Sequence, residues 1–120
     1  MLGAVPISLL VAPIAPDTIG DWRAVQAELA GPRRIPWVQS QRRRGITREV
    51  VWCDEAAAVA YYAVEGIDPV VAFGDLDPDD AFEGWLADRF ALVHPGGITP
   101  VDQVFDSSPK PGAWRGLPPR

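Results

Sequence analysis

Residues 5–14 read Val-Pro-Ile-Ser-Leu-Leu-Val-Ala-Pro-Ile. As a strand, this stretch puts Ile7, Leu9 and Val11 on one face and Leu10, Ala12 and Ile14 on the other. A strand with one face in water alternates apolar and polar residues. A strand apolar on both faces is covered on both. The run Ala57–Glu65 repeats the pattern, with Val59 and Tyr61 opposing Tyr62 and Val64. A sheet built on these two strands therefore needs cover front and back.

The surrounding sequence supplies the rest of the fold. After Pro16-Asp17-Thr18, the residues Ile19, Trp22, Val25, Gln26 and Leu29 recur at helical spacing until Gly31-Pro32 stops them. Residues 33–44, which include Pro36, Trp37 and the run Arg42-Arg43-Arg44, read as a solvated connection. Gly45–Cys53, rich in Ile, Thr, Val and Trp, predicts a strand. An Asp54-Glu55 turn joins it to Ala57–Glu65 in an antiparallel hairpin. The alanines there also suit a helix, but Val59, Tyr61, Tyr62 and Val64 crowd the centre and Gly66 closes the run.

Asp68-Pro69 and Asp77-Pro78 each place a capping carboxylate before a proline that needs no amide partner, and so predict two helix starts. The first opens a short helix through Val70, Val71 and Phe73. The second opens a longer one, with Phe82, Trp85, Leu86, Arg89, Phe90 and Val93 on one face, ended by His94-Pro95-Gly96-Gly97. Val101–Phe105 predicts a last short strand. The Pro/Gly-rich tail, 107–120, reads as irregular, with Trp114 its one large anchor.

Strand, helix, strand, strand, helix, strand is the ferredoxin-like βαββαβ plan, an α+β fold with one four-stranded antiparallel sheet, here a single domain over 1–106. Both helices of that plan lie on one face. The apolar residues of the other face call for a second cover, and the simplest is the same sheet of another copy: a homodimer.

Composition narrows the chemistry. The chain has 120 residues, a net charge of −5, one cysteine and one histidine. Negative charge works against nonspecific attraction to nucleic acid or to an anionic membrane. One cysteine excludes a disulfide framework and a cysteine-built zinc site within one chain. The N-terminal 15 residues are apolar but lack a basic start and are broken by Pro6 and Pro13, so the expectation is a buried strand in a cytoplasmic protein and not a signal peptide. Near-exclusive use of arginine for basic charge, with Lys110 the one lysine and no asparagine, points to a GC-rich bacterial genome. No phosphate-binding glycine loop, serine elbow or HExxH pattern occurs. No metal and no cofactor is expected.

With these features in place, the chain resembles the dimeric α+β barrel superfamily. The likeness lies in the element order from Val5 to Asp106, in the two-faced strands, and in the runs Thr-Arg-Glu-Val-Val-Trp (47–52), Tyr-Tyr-Ala-Val-Glu-Gly (61–66) and Phe-Glu-Gly-Trp-Leu-Ala-Asp-Arg-Phe-Ala-Leu-Val-His (82–94). The chain is also similar to small bacterial families of unassigned function with an acid-bounded strand and a late Trp/His helix. The resemblance implies relatives as different as cofactor-free monooxygenases, lactone isomerases, polyketide cyclases, haem-handling proteins and plain ligand binders, among which fold does not choose.

Candidate site residues follow from side-chain chemistry. His94 is the one group that titrates near neutrality unaided, and so the candidate acid or base. The competing role is a last-turn histidine that satisfies helix carbonyls. Tyr61 and Tyr62 point to opposite sheet faces, and either hydroxyl could polarise a carbonyl or simply pack. Arg48, on the side of Trp52, and Arg89 on the helix could anchor an anionic group, or lie in solvent over apolar surface. Trp52, Phe82, Trp85 and Phe90 could line an aromatic pocket or form core. Cys53 reads as an inert apolar residue.

The reading that follows is a cofactor-independent enzyme of small-molecule metabolism. It would bind an apolar, carbonyl-bearing ligand between sheet and helices for proton transfer, cyclisation or isomerisation, with His94, Tyr61 and Tyr62 catalytic. Arg48, Trp52, Phe82, Trp85, Arg89 and Phe90 would bind the substrate. The alternative is a non-catalytic small-molecule-binding or accessory dimer.

Overall fold

The computed structural model describes residues 5–104 and residue 107. Strand β1 (Ile7–Pro13) runs through a single 3-10 turn at Pro16–Thr18 into helix α1 (Ile19–Ala30). Helix α2 (Arg34–Arg43) follows, then the hairpin β2 (Ile46–Asp54) and β3 (Val59–Gly66). A short helix α3 (Pro69–Gly74), a longer α4 (Ala81–Val93) and a short edge strand β4 (Thr99–Val101) complete the order. The strands lie side by side as β2-β3-β1-β4, every neighbouring pair antiparallel. This is the ferredoxin-like α+β plan read from the sequence, with one helix added.

The register sorts the side chains as the alternation demands. Leu10 lies opposite Tyr62 and Ala12 opposite Ala60, while Val51 and Cys53 of β2 lie opposite Tyr62 and Ala60. That face meets the helices, and Leu10, Ala12, Ala60, Tyr62 and Val64 are buried with Trp22, Phe73 and Val93. A second cluster joins α1 to α4 through Val25, Leu29, Phe82 and Leu86, with Trp37 of α2 packed against it. The other face carries Ile7, Leu9, Val11, Val50, Trp52, Tyr61, Ala63 and Val101 and no helix. Ile7 is 47% exposed and Trp52 54%. The sheet is apolar on both sides, and among the described residues helices cover only one of them.

Three expectations are corrected. Residues 34–43 form a helix where a connection was expected. Pro36 sits in its first turn, where an amide has no helical partner to lose. Arg42 and Arg43 close it where the helix dipole favours cations. The arginine run is not uniformly solvated: Arg44 is buried, donating through Nε to Ser40 and through Nη1 to the carbonyl of Ala72 at 3.0 Å.

Helix α4 starts at Ala81 and not at Pro78. Asp77 closes a turn instead, its Oδ1 accepting from Asp79 N–H at 2.9 Å, and Asp80 caps the helix by accepting from Glu83 N–H at 2.8 Å. The last strand is shifted, lying at Thr99–Val101 against Leu9–Val11. Phe105 and the tail with Trp114 lie outside the described residues.

Candidate functional site

Strand β3 presents Tyr62 to the helices at its centre, and α4 ends on His94, with both side chains buried. The Tyr62 hydroxyl is 2.8 Å from His94 Nε2 and 2.8 Å from Trp22 Nε1, and His94 Nδ1 is 3.0 Å from the carbonyl oxygen of Pro13. The chemistry of the partners fixes every proton. A carbonyl accepts only, so Nδ1 carries the hydrogen of a neutral imidazole. An indole N–H donates only, so the phenol oxygen accepts from Trp22 and gives its own proton to Nε2. The chain Trp22 to Tyr62 to His94 to Pro13 thus ties α1, β3, α4 and β1 together, with each buried polar atom satisfied.

Burial is the main influence on both titrating groups. It pushes the Tyr62 phenol up, against the opposing effect of the Trp22 hydrogen bond. It pushes the His94 imidazole down, against the pull of the Pro13 carbonyl. Both are held neutral at pH 7, with the phenol as donor and the imidazole as acceptor of one buried hydrogen bond. The His94 backbone N–H serves the Phe90 carbonyl of its own helix, but its imidazole does not. It crosses to β1.

Beside this pair, α3 and α4 flank a largely apolar cavity of about 320 Å³ over β1 and β4 that opens to solvent. Its walls are Val70 and Phe73 of α3, Ala87 and Phe90 of α4, Leu76 before α4, Leu10 of β1, and Ile98 and Pro100 at β4. Phe73 and Phe90 stack, with ring centres 5.8 Å apart and planes at 14°, and both rings lie against Tyr62.

The structure brings together three of the residues singled out by sequence: Tyr62, His94 and Phe90. Tyr61 is on the opposite, uncovered face, where it pairs across the strands with Trp52. Arg48 is exposed on that face opposite Glu65. Phe82 and Trp85 are in contact with each other in the layer between α1 and α4, Trp85 under the Arg33 guanidinium at 4.0 Å, and Arg89 is exposed.

Two further residues had no clear sequence signal. Trp22 reads as core from its spacing, and its N–H partner is 40 positions away. Glu83 is buried yet ionised. It accepts from Arg43 and from Asp77 N–H at 2.8 Å. Burial alone would raise its carboxyl, but hydrogen bonds from Arg43, Asp77 and Ser40 outweigh that and bring it down to about 2. Glu49, on the helix face of β2, goes the other way, pushed up to about 7 by burial against the partial relief of Arg44 and Gln41. Among the described residues, no three of His, Cys, Asp and Glu come together in a way that would hold a metal ion.

Comparison with solved structures finds a similar fold in the crystal structure of an L-rhamnose mutarotase from Formosa agariphila. The TM-score is 0.58 and the similarity covers 86% of this chain and 99% of that one. The shared fold is the ferredoxin-like α+β plan with one four-stranded antiparallel sheet. At 12% identity the likeness carries that fold and nothing about the reaction. No protein-family model matches the sequence, and no curated protein does. Within this fold, the helix-covered face of the sheet holds Tyr62, with His94 packed against it, and the face left open by the described residues holds Arg48, Trp52 and Tyr61.

Proposed function

We propose that this chain is a cofactor-independent enzyme of the isomerase type, acting on a small carbonyl-bearing molecule by proton transfer. The observation that carries the reading is the 2.8 Å contact between the Tyr62 hydroxyl and a neutral His94, set beside an apolar cavity between sheet and helices. An acid and a base in register are what enolisation, cyclisation or ring opening needs, and holding the ligand in a reactive shape supplies much of the rest. The structural neighbour is named for a mutarotation, a proton-transfer reaction that fits such a pair. The cavity differs from a sugar site, however. Its side chains offer no hydrogen bonds, so a hydroxyl-rich ligand would find few partners for its hydroxyls there. A largely apolar ligand with one carbonyl fits better.

In this reading the chain works as a cytoplasmic homodimer, its bare sheet faces packed together. Arg48, Trp52 and Tyr61 then belong to the interface, while Phe82, Trp85 and Arg89 remain structural.

The test is deuterium exchange in D2O at the carbon next to the carbonyl, followed by NMR for a panel of cyclic ketones and lactones. Wild-type protein should accelerate exchange for at least one of them. His94→Gln and Tyr62→Phe should each lose roughly 10²–10⁴-fold of that rate while remaining folded. Buffer-rate exchange for the whole panel would sink the enzyme reading. A second reading, a non-catalytic binder, draws support from the saturation of the Trp22–Tyr62–His94 chain by protein partners. It predicts ligand-dependent rises in Tm with no exchange.

A further inference from the structure

The cavity and the polar pair are neighbours, but the cavity walls do not include Tyr62 or His94. A ligand filling the space leaves its polar atom on the wrong side of a wall. Two rings make that wall, both lining the cavity: Phe73, whose centre lies 5.1 Å from Tyr62, and Phe90, whose centre lies 6.0 Å from Tyr62 and, alone of the two, faces His94, at 5.9 Å. Phe73 supports Phe90 by stacking at 5.8 Å and is itself fully packed, as is Leu10 on the central strand. Phe90, by contrast, is only half-buried, in the last turn of α4.

We infer that Phe90 is the specificity-determining residue of this site: its ring sets how deep a ligand goes and whether a polar atom meets the Tyr62–His94 pair. This rests on the cavity being the ligand site, and says more than that reading does, since an open path from cavity to pair would serve the reading equally well. The single histidine makes the idea measurable, because every imidazole ¹⁵N resonance belongs to His94.

The probes are toluene and phenol, which match in shape and differ by a hydroxyl. In wild type both should bind with similar affinity and leave the Nε2 resonance in place. In Phe90→Ala, phenol should bind about two- to tenfold more tightly than toluene, the ratio one hydrogen bond supplies, and should move Nε2. Phe90→Leu keeps most of the core volume and should show the same preference in weaker form, so the test survives if the alanine variant does not fold. Phenol moving Nε2 in wild type would overturn the inference, as would phenol binding to either variant without that movement. Failure of both probes to bind any of the three proteins would remove the cavity as a ligand site and the proposed function with it. Probe results as expected alongside buffer-rate ketone exchange would leave Phe90's role intact and remove only the enzyme.

Discussion

At the scale of single residues, buried polar groups decide more than the apolar ones around them. Glu83 has an exposed partner, Arg43, but is itself nearly inaccessible, and its hydrogen bonds hold the turn before α4 against α2. Its folded carboxyl titrates at about 2, below the ordinary value of 4.5. Its stabilisation is therefore complete above pH 4.5 and is lost as the pH falls toward 2. Glu83→Gln should cost about 1–3 kcal/mol at pH 7, from the weakened charge-assisted bonds of a buried group. It should also flatten the loss of stability across that acid range, read from urea unfolding midpoints at a series of pH values. An unchanged acid slope would place the titration elsewhere. His94 acts in the same direction at milder acidity: its folded pKa is lowered, so the unfolded chain takes up the proton first and stability falls as the pH drops below the ordinary histidine value of 6.5.

At the scale of elements, the informative cases are those where local signals conflict. The hairpin turn at Glu55–Ala58 ends with Ala58 at φ 53°, in the left-handed region, while its carbonyl accepts from Ile14 N–H at 2.7 Å. Side chains with a Cβ pay for that conformation, and glycine does not. Ala58→Gly should raise stability by roughly 0.5–1 kcal/mol with no change in the denaturant slope. A loss of stability would show that chain entropy outweighs the strain relieved. Helix α2 carries the opposite lesson. It lacks an apolar stripe, with Ile35 73% exposed, and its attachments are Trp37, the Arg43 to Glu83 bonds and Arg44 reaching the carbonyls of α3. Periodicity is silent about a helix held mainly by charge.

At the scale of the molecule, the uncovered sheet face is the dominant fact. An apolar surface of this extent on a monomer is an aggregation hazard unless something covers it. Sheet-to-sheet pairing of two copies would bury it, with the Trp52–Tyr61 and Arg48–Glu65 cross-strand pairs taken in at its ends. Val50→Asp, at the centre of β2 on that face, should convert the proposed dimer to a folded monomer with unchanged circular dichroism, as read by sedimentation velocity. Wild-type protein sedimenting as a monomer would remove the dimer from the proposal. Both catalytic candidates lie on the other face, so the monomeric variant keeps the Tyr62–His94 pair for separate study.

The strand alternation in Val5–Ile14 and Ala57–Glu65 was legible without coordinates, because period-two burial is a local property: once β1 and β3 exist, Leu10 and Tyr62 must share one face and Val11 and Tyr61 the other. Element order then left the ferredoxin-like sheet as the simplest way to place both faces, and His94 at the end of α4 followed from the proline and glycines after it. Which groups meet His94 was not legible. Tyr62 is 32 positions away, Trp22 lies 40 from Tyr62, and Pro13 contributes a backbone carbonyl with no side-chain signature at all. The same holds for Glu83 and the arginine run. A charge reads as surface until folding shows that its partners replace water, and the pairing of Arg43 with Glu83 and of Arg44 with the α3 carbonyls is set by how the helices pack, which no local pattern encodes.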